Sequence, residues 1–260
     1  MALKIENGQI VGTIDKLEEK LEGKLPVTRE ELLFLIKSWG EIYNYDQPVI
    51  NVGSCYDLSK LDVSQITDMS YLFKNSPFDG DIGNWNVSSV TNMLDMFSFA
   101  KEFNSPLNDW DVSKVTSMAG MFYGSKKINS DIGKWEVSNV IDMSYMFAYT
   151  KEFNQNISSW NINNVVNMGS MFSDAKSFNQ NISSWNLDNV KNSYFMFSKA
   201  KAFCDKYNNG NPLPEDTDKT KEWFNLNRER INMIEIKEKH GDEIDNFFSI
   251  INNNEIKKDK

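Results

Sequence analysis

Apolar side chains recur along this chain at a step of 25 residues. Trp85, Trp110, Trp135, Trp160 and Trp185 mark the step, and Phe97, Phe122, Phe147, Phe172 and Phe197 each follow a Trp by twelve residues. A worn copy precedes them, with Leu61 in the Trp position and Phe73 twelve later; it is one residue shorter where it meets the next copy, at Phe78. One full unit, DIGNWNVSSVTNMLDMFSFAKEFN (Asp81 to Asn104), has apolar residues at Ile82, Trp85, Val87, Val90, Met93, Met96, Phe97, Ala100 and Phe103. Ten of the twelve Met fall in the two columns that contain Met93 and Met96. Self-similarity of this kind marks a repeat array, in which each unit buries its apolar face only against its neighbours.

Within a unit the period changes. Trp85 and Val87 alternate with Asn84, Asn86 and Ser88, the pattern of a half-buried strand. Val90, Met93, Met96, Phe97 and Ala100 then fall three or four apart, which predicts one face of a helix. Asp68, Asn92, Ser117, Asp142, Asn167 and Asn192 stand ahead of this segment as N-caps. The expected fold class is therefore α/β: a leucine-rich-repeat-like solenoid of six strand–short-helix repeats of about 25 residues, with helical caps at both ends. An all-β coil with three short strands per turn is the rival. Asn104, Asn129, Asn154 and Asn179 recur at one turn and read as a structural ladder.

Four regions follow from this pattern. Residues 1–24 form an extension, with a hairpin at Leu3–Val11 around Asn7-Gly8 and a short helix from Thr13 to Gly23. Residues 25–54 form a helical N-terminal cap. Thr28 and Glu31 make a capping box there, for a helix running through Trp39 and stopping at Gly40. Residues 55–204 hold the six repeats. Residues 205–260 form a helical C-terminal cap: a helix over 216–238 with Trp223, Phe224, Ile231 and Ile234 on one side, a second from Asp242 to Asn252, and a disordered tail.

Charge narrows the partners. The net charge is −9 and only Arg29, Arg228 and Arg230 are arginines, so a nucleic-acid backbone is excluded as a ligand. No run of 18 apolar residues is present, so no membrane insertion is expected. The first twenty residues lack the apolar stretch of a secretory signal, which makes the cytoplasm the default location. Cys55 and Cys204 flank the array. Six coils at about 4.8 Å would hold them roughly 29 Å apart, so both are expected as free thiols.

Candidate chemistry is sparse. No nucleophile elbow, phosphate loop or Cys/His metal set occurs, and the single His240 lies beside Gly241 near a helix end. No catalytic residue, cofactor or metal site is therefore expected. The Trp and Met columns read as core. The best binding candidates are the polar residues that alternate with the inward ones: Asn84, Asn86, Asp109, Asp111, Lys134, Glu136, Ser159, Asn161, Ser184 and Asn186.

The blocks V-T-x-M-x-x-M-F and D-I-x-x-W-N-V-S, over about residues 57–203, resemble the BspA-like leucine-rich-repeat surface proteins. The likeness is strongest to their mycoplasma- and spirochaete-type repeat domain of unknown function. The resemblance implies a bacterial, often surface-exposed protein engaged in adhesion or host interaction, and no catalytic residues. The expected function is thus non-enzymatic macromolecule binding, with a protein partner (host or self) first. A glycan partner bound through exposed aromatics such as Tyr71, Tyr123, Tyr145 and Tyr149 is the alternative.

Overall fold

The computed structural model describes residues 4–6, 9–11, 19–41 and 57–256. Strands β1 (Lys4–Glu6) and β2 (Gln9–Val11) pair antiparallel, with Ile5 opposite Ile10, as the Asn-Gly signal predicts. Helices follow at α1 (Arg29–Glu41), α2 (Lys201–Tyr207) and α3 (Thr217–Ile256). Among the described residues no helix is long and apolar enough to cross a membrane.

Among the described residues between α1 and α2 the expected strand–helix unit is absent. The six copies are stacked coils built from tight turns, so the α/β leucine-rich-repeat-like architecture does not hold. Among the described residues parallel pairing is confined to isolated bridges: Pro26–Asp62, and the series Asp68–Asn92–Ser117–Asp142–Asn167–Asn192, one residue per coil. These six residues were expected to cap helices. Instead Asp68, Asn92, Asp142, Asn167 and Asn192 accept the amide two residues on, each closing a turn.

The backbone arithmetic explains why no helix forms. In the second coil, the amides of Met93, Asp95, Phe97 and Phe99 donate to Ser117, Ala119, Met121 and Tyr123 of the next coil. The amides between them turn inward on their own coil: Leu94 to the Asn92 side chain, Met96 to Met93, Ser98 to Asp95 and Ala100 to Phe97. Eight consecutive donors are thus satisfied without one bond of the helical kind. A chain of four-residue turns returns to the same face every four residues. That step is close enough to the helical 3.6 to give the same apolar spacing.

The inward columns are those the repeat predicts. Trp85, Trp110, Trp135, Trp160 and Trp185 are buried. The rings of Trp110, Trp135, Trp160 and Trp185 stack nearly parallel at 6.4–6.5 Å. Phe73, Phe97, Phe122, Phe147, Phe172 and Phe197 form a second stack at 5.2–5.8 Å. Each of these five indole N–H groups reaches a carbonyl of the preceding coil, Trp135 Nε1 to Leu107 at 2.8 Å for example, so none of the five is stranded in the core. The Asn ladder also forms, with the Asn104, Asn129 and Asn154 side chains accepting the amides of Asn129, Asn154 and Asn179.

Both open ends of the stack are covered. At the first coil, Arg29 donates to the carbonyls of Asp68 (3.0 Å) and Ser70 (2.7 Å), groups a preceding coil would otherwise satisfy. The Thr28–Glu31 capping box forms, and Leu32, Leu35 and Ile36 are buried; α1 passes Gly40 and ends at Glu41. At the last coil, Ser193 and Phe195 donate to Thr217 and Glu215, and Phe224 packs on Phe197 and Phe203. Helix α3 is broken at His240 (φ −133°), near the junction of the two expected helices, and continues to Ile256 through part of the expected disordered tail. Cys204 is a free, buried thiol whose pKa is raised by burial. Cys55, most of the Thr13–Gly23 helix and residues 42–54 of the cap lie outside the described residues.

Candidate functional site: two surfaces of the coil stack

The ten polar candidates form two exposed columns on one flank: Asn84, Asp109, Lys134, Ser159 and Ser184, then Asn86, Asp111, Glu136, Asn161 and Asn186. The second column is tied to its own backbone. Each of its members accepts the amide two residues on, from Ser88, Ser113, Ser138, Asn163 and Asp188. Hydrogen bonds from the Ser113 hydroxyl and amide hold the Asp111 carboxyl below the usual aspartate range. Ser159 and Ser184 donate to carbonyls of the preceding coil. These side chains shape turns and remain exposed.

A different face carries the unusual geometry. Each coil has two left-handed residues four apart: Tyr71/Asn75, Asp95/Phe99, Gly120/Gly124, Tyr145/Tyr149, Ser170/Asp174 and Phe195/Lys199, with φ between 53° and 69°. They take the third position of a turn, which favours Gly because a Cβ is crowded there. Five are large aromatics, and all five are exposed: Tyr71, Phe99, Tyr145, Tyr149 and Phe195.

The third coil has Gly at both positions, and this opens a groove of about 360 Å³. A Cβ at Gly120 would stand 2.2 Å from Asp95 Oδ1, and one at Gly124 2.7 Å from the Phe99 ring, so a side chain at either point would displace these groove-lining groups. Ala119, Gly120, Ser98 and Ser144 line the groove with small side chains, and Phe99, Tyr123 and Tyr145 add rings. Tyr123 meets Phe99 at 4.9 Å, Tyr145 at 6.1 Å and Tyr149 at 5.4 Å, each edge to face. Burial, then the neighbouring Tyr149, Tyr145 and Asp95, push the Tyr123 phenol above its usual range, so it stays a donor at neutral pH. Lys74 and Asp95 pair at 2.7 Å at the groove, and the Lys74 ammonium also lies 5.1 Å from the centre of the Tyr71 ring. The Ser98 hydroxyl, buried at this groove, has no hydrogen-bond partner.

Of the aromatics the sequence predicts to be exposed, Tyr71, Tyr145 and Tyr149 are exposed and Tyr123 is half-buried; Phe99, Asp95 and Lys74 are not among those the sequence points to. The available signal was the pair of glycines four apart in MAGMFYGS, which opposes a helix and marks turns.

No curated protein and no solved structure is significantly similar to the chain. A family profile matches it twice in tandem, over residues 50–147 and 125–232. The wider leucine-rich-repeat label finds no support, because the unit has neither its strand nor its helix. What the two matches, together covering residues 50–232, do establish is membership: the chain belongs to the family described as Mycoplasma protein of unknown function, DUF285.

Proposed function

We propose that the chain is a non-enzymatic recognition module that binds a macromolecule along the turn face of its coil stack. The observation that supports this best is the set of exposed Tyr and Phe residues at left-handed positions. Glycine would fit those positions with less strain, on the order of 1 kcal/mol each. Residues held in strained conformations cluster at functional sites. Rigid aromatic side chains on a preformed surface give contact area at little ordering cost.

The exposed polar columns support a second reading, a protein partner docked on that flank. The two readings separate in one experiment. The labelled chain is applied to a printed glycan array and a printed protein array, alongside a Tyr145→Ala/Tyr149→Ala variant and an Asp111→Lys/Glu136→Lys variant. Loss of signal with the tyrosine variant alone supports the turn face. Loss with the charge-reversal variant alone transfers the function to the flank, and no binding on either array defeats both.

A further inference from the structure

The groove opened by Gly120 and Gly124 is a concavity built into the turn face. We propose that it is a subsite for an uncharged sugar ring, a single residue of a neutral glycan. The inference rests on the turn-face reading above and names its ligand class.

The argument is one of chemical complement. A sugar ring has an apolar C–H face and an edge of hydroxyls. Phe99, Tyr123 and Tyr145 offer it ring faces and edges, and Phe99 and Tyr145 are 38% and 51% exposed. For the hydroxyls there are both donors and acceptors: the Lys74 ammonium and the Asp95 carboxylate each keep hydrogen-bonding capacity beyond their mutual contact. The Tyr123 phenol, held protonated above its usual range by burial, adds a further donor at the groove.

The same inventory disfavours other ligands. Lys74 and Asp95 neutralise each other, so no uncompensated charge is left to hold a carboxylate, a phosphate or an ammonium. A peptide strand adding along the face would need free backbone donors. Those of the second and third coils are already committed, Asp95 to Ala119, Phe99 to Tyr123, Gly120 to Ser144 and Gly124 to Ala148.

The test uses the full chain on an array printed with neutral, sialylated and sulfated glycans, followed by calorimetry with the strongest neutral oligosaccharide. Tyr145→Ala should weaken binding on the order of tenfold. Asp95→Asn should weaken it several-fold while moving the melting temperature little, since its pair with Lys74 is partly exposed. That combination distinguishes a ligand contact from damage to the fold. Preference for sialylated or sulfated glycans would overturn the neutral-sugar assignment. Glycan binding that survives both groove variants but fails with Phe195→Ala would overturn the groove and leave the turn face standing. Tyrosine-dependent binding to proteins with none to glycans would overturn the ligand class alone. Absence of binding to either array would defeat the underlying reading as well.

Discussion

Truncating Trp135 tests the coil stack at its centre. The side chain is 4% exposed and lies between Trp110 and Trp160, each 6.5 Å away and within 4° of parallel, with Phe122 also at 6.5 Å. Its indole N–H satisfies the Leu107 carbonyl at 2.8 Å. Replacement by Ala removes a buried aromatic, which costs about 3–5 kcal/mol. It also strands a buried acceptor, for about 1–3 kcal/mol more. The expected loss is therefore roughly 4–8 kcal/mol, or a fall in Tm of roughly 8–32 °C for a chain of this size.

Trp135→Phe separates the two contributions, because it keeps a ring in the stack but no N–H. Its expected cost is about 1–3 kcal/mol. Both variants are measured by guanidinium titration followed by far-UV circular dichroism, with thermal melting as a check. A loss below about 1 kcal/mol for Trp135→Ala would refute burial of the ring. A Phe variant as stable as the parent would refute the role given to the indole N–H.

Three further outcomes test the caps and the turns. Arg29→Met keeps the aliphatic stem but removes the donors to Asp68 and Ser70; it should cost about 1.5–3 kcal/mol and speed amide exchange over residues 57–76, and unchanged exchange would show that the end needs no such cover. Phe195, at φ 57° and 47% exposed, should tolerate Gly with Tm unchanged or raised, whereas Val should lower stability by about 1–2 kcal/mol; equal effects would count against strain at these positions. At the C-terminal cap, burial raises the Glu235 carboxyl, but hydrogen bonds from Lys206 and Tyr207 outweigh it and set its pKa below the ordinary 4.5. A lowered folded-state pKa stabilises above that ordinary value, and the gain is lost as pH falls through the folded one. Amide exchange over 201–235 should therefore accelerate as pH falls below that ordinary value, and Glu235→Gln should flatten that dependence; an unchanged profile would exclude Glu235 as its source.

Much of the architecture was legible, and the part that was not has a definite cause. The Trp, Met and Phe columns announced both the period and the inward positions, because burial acts on side chains whatever the backbone does. The backbone itself was ambiguous. Asn92 or Asp142 accepts a nearby amide equally well at a helix start and in a tight turn. The Trp85-to-Val87 alternation comes from a short link between the turns Ile82–Trp85 and Val87–Val90, too brief to pair as a strand. The groove was only partly legible. Tyr123 and Tyr145 fall outside the apolar columns and could be placed on the surface, but Phe99 sits in a segment whose spacing mimics a helix. The nearness of Asp95, Phe99, Gly120 and Tyr145 depends on the coil register. Contacts between residues some 25 apart appear only once the coils are stacked.

The stack also separates structural from displayed positions with unusual sharpness. Each coil's backbone bonds are made by the ladder and the turns, whichever side chain occupies the left-handed points. The core columns barely change between copies: Met at 96, 121, 146, 171 and 196, Phe at 97, 122, 147, 172 and 197. The left-handed columns hold Tyr, Asp, Gly, Tyr, Ser and Phe at one point and Asn, Phe, Gly, Tyr, Asp and Lys at the other. If the turn alone set these residues, Gly should prevail, since each Cβ there adds strain. Gly appears at both points in only the third coil, where neighbouring coils supply the ring and carboxylate that border the resulting space. Folding accounts for the uniform columns; the variety and exposure of the strained points are what the ligand proposed for this face would select.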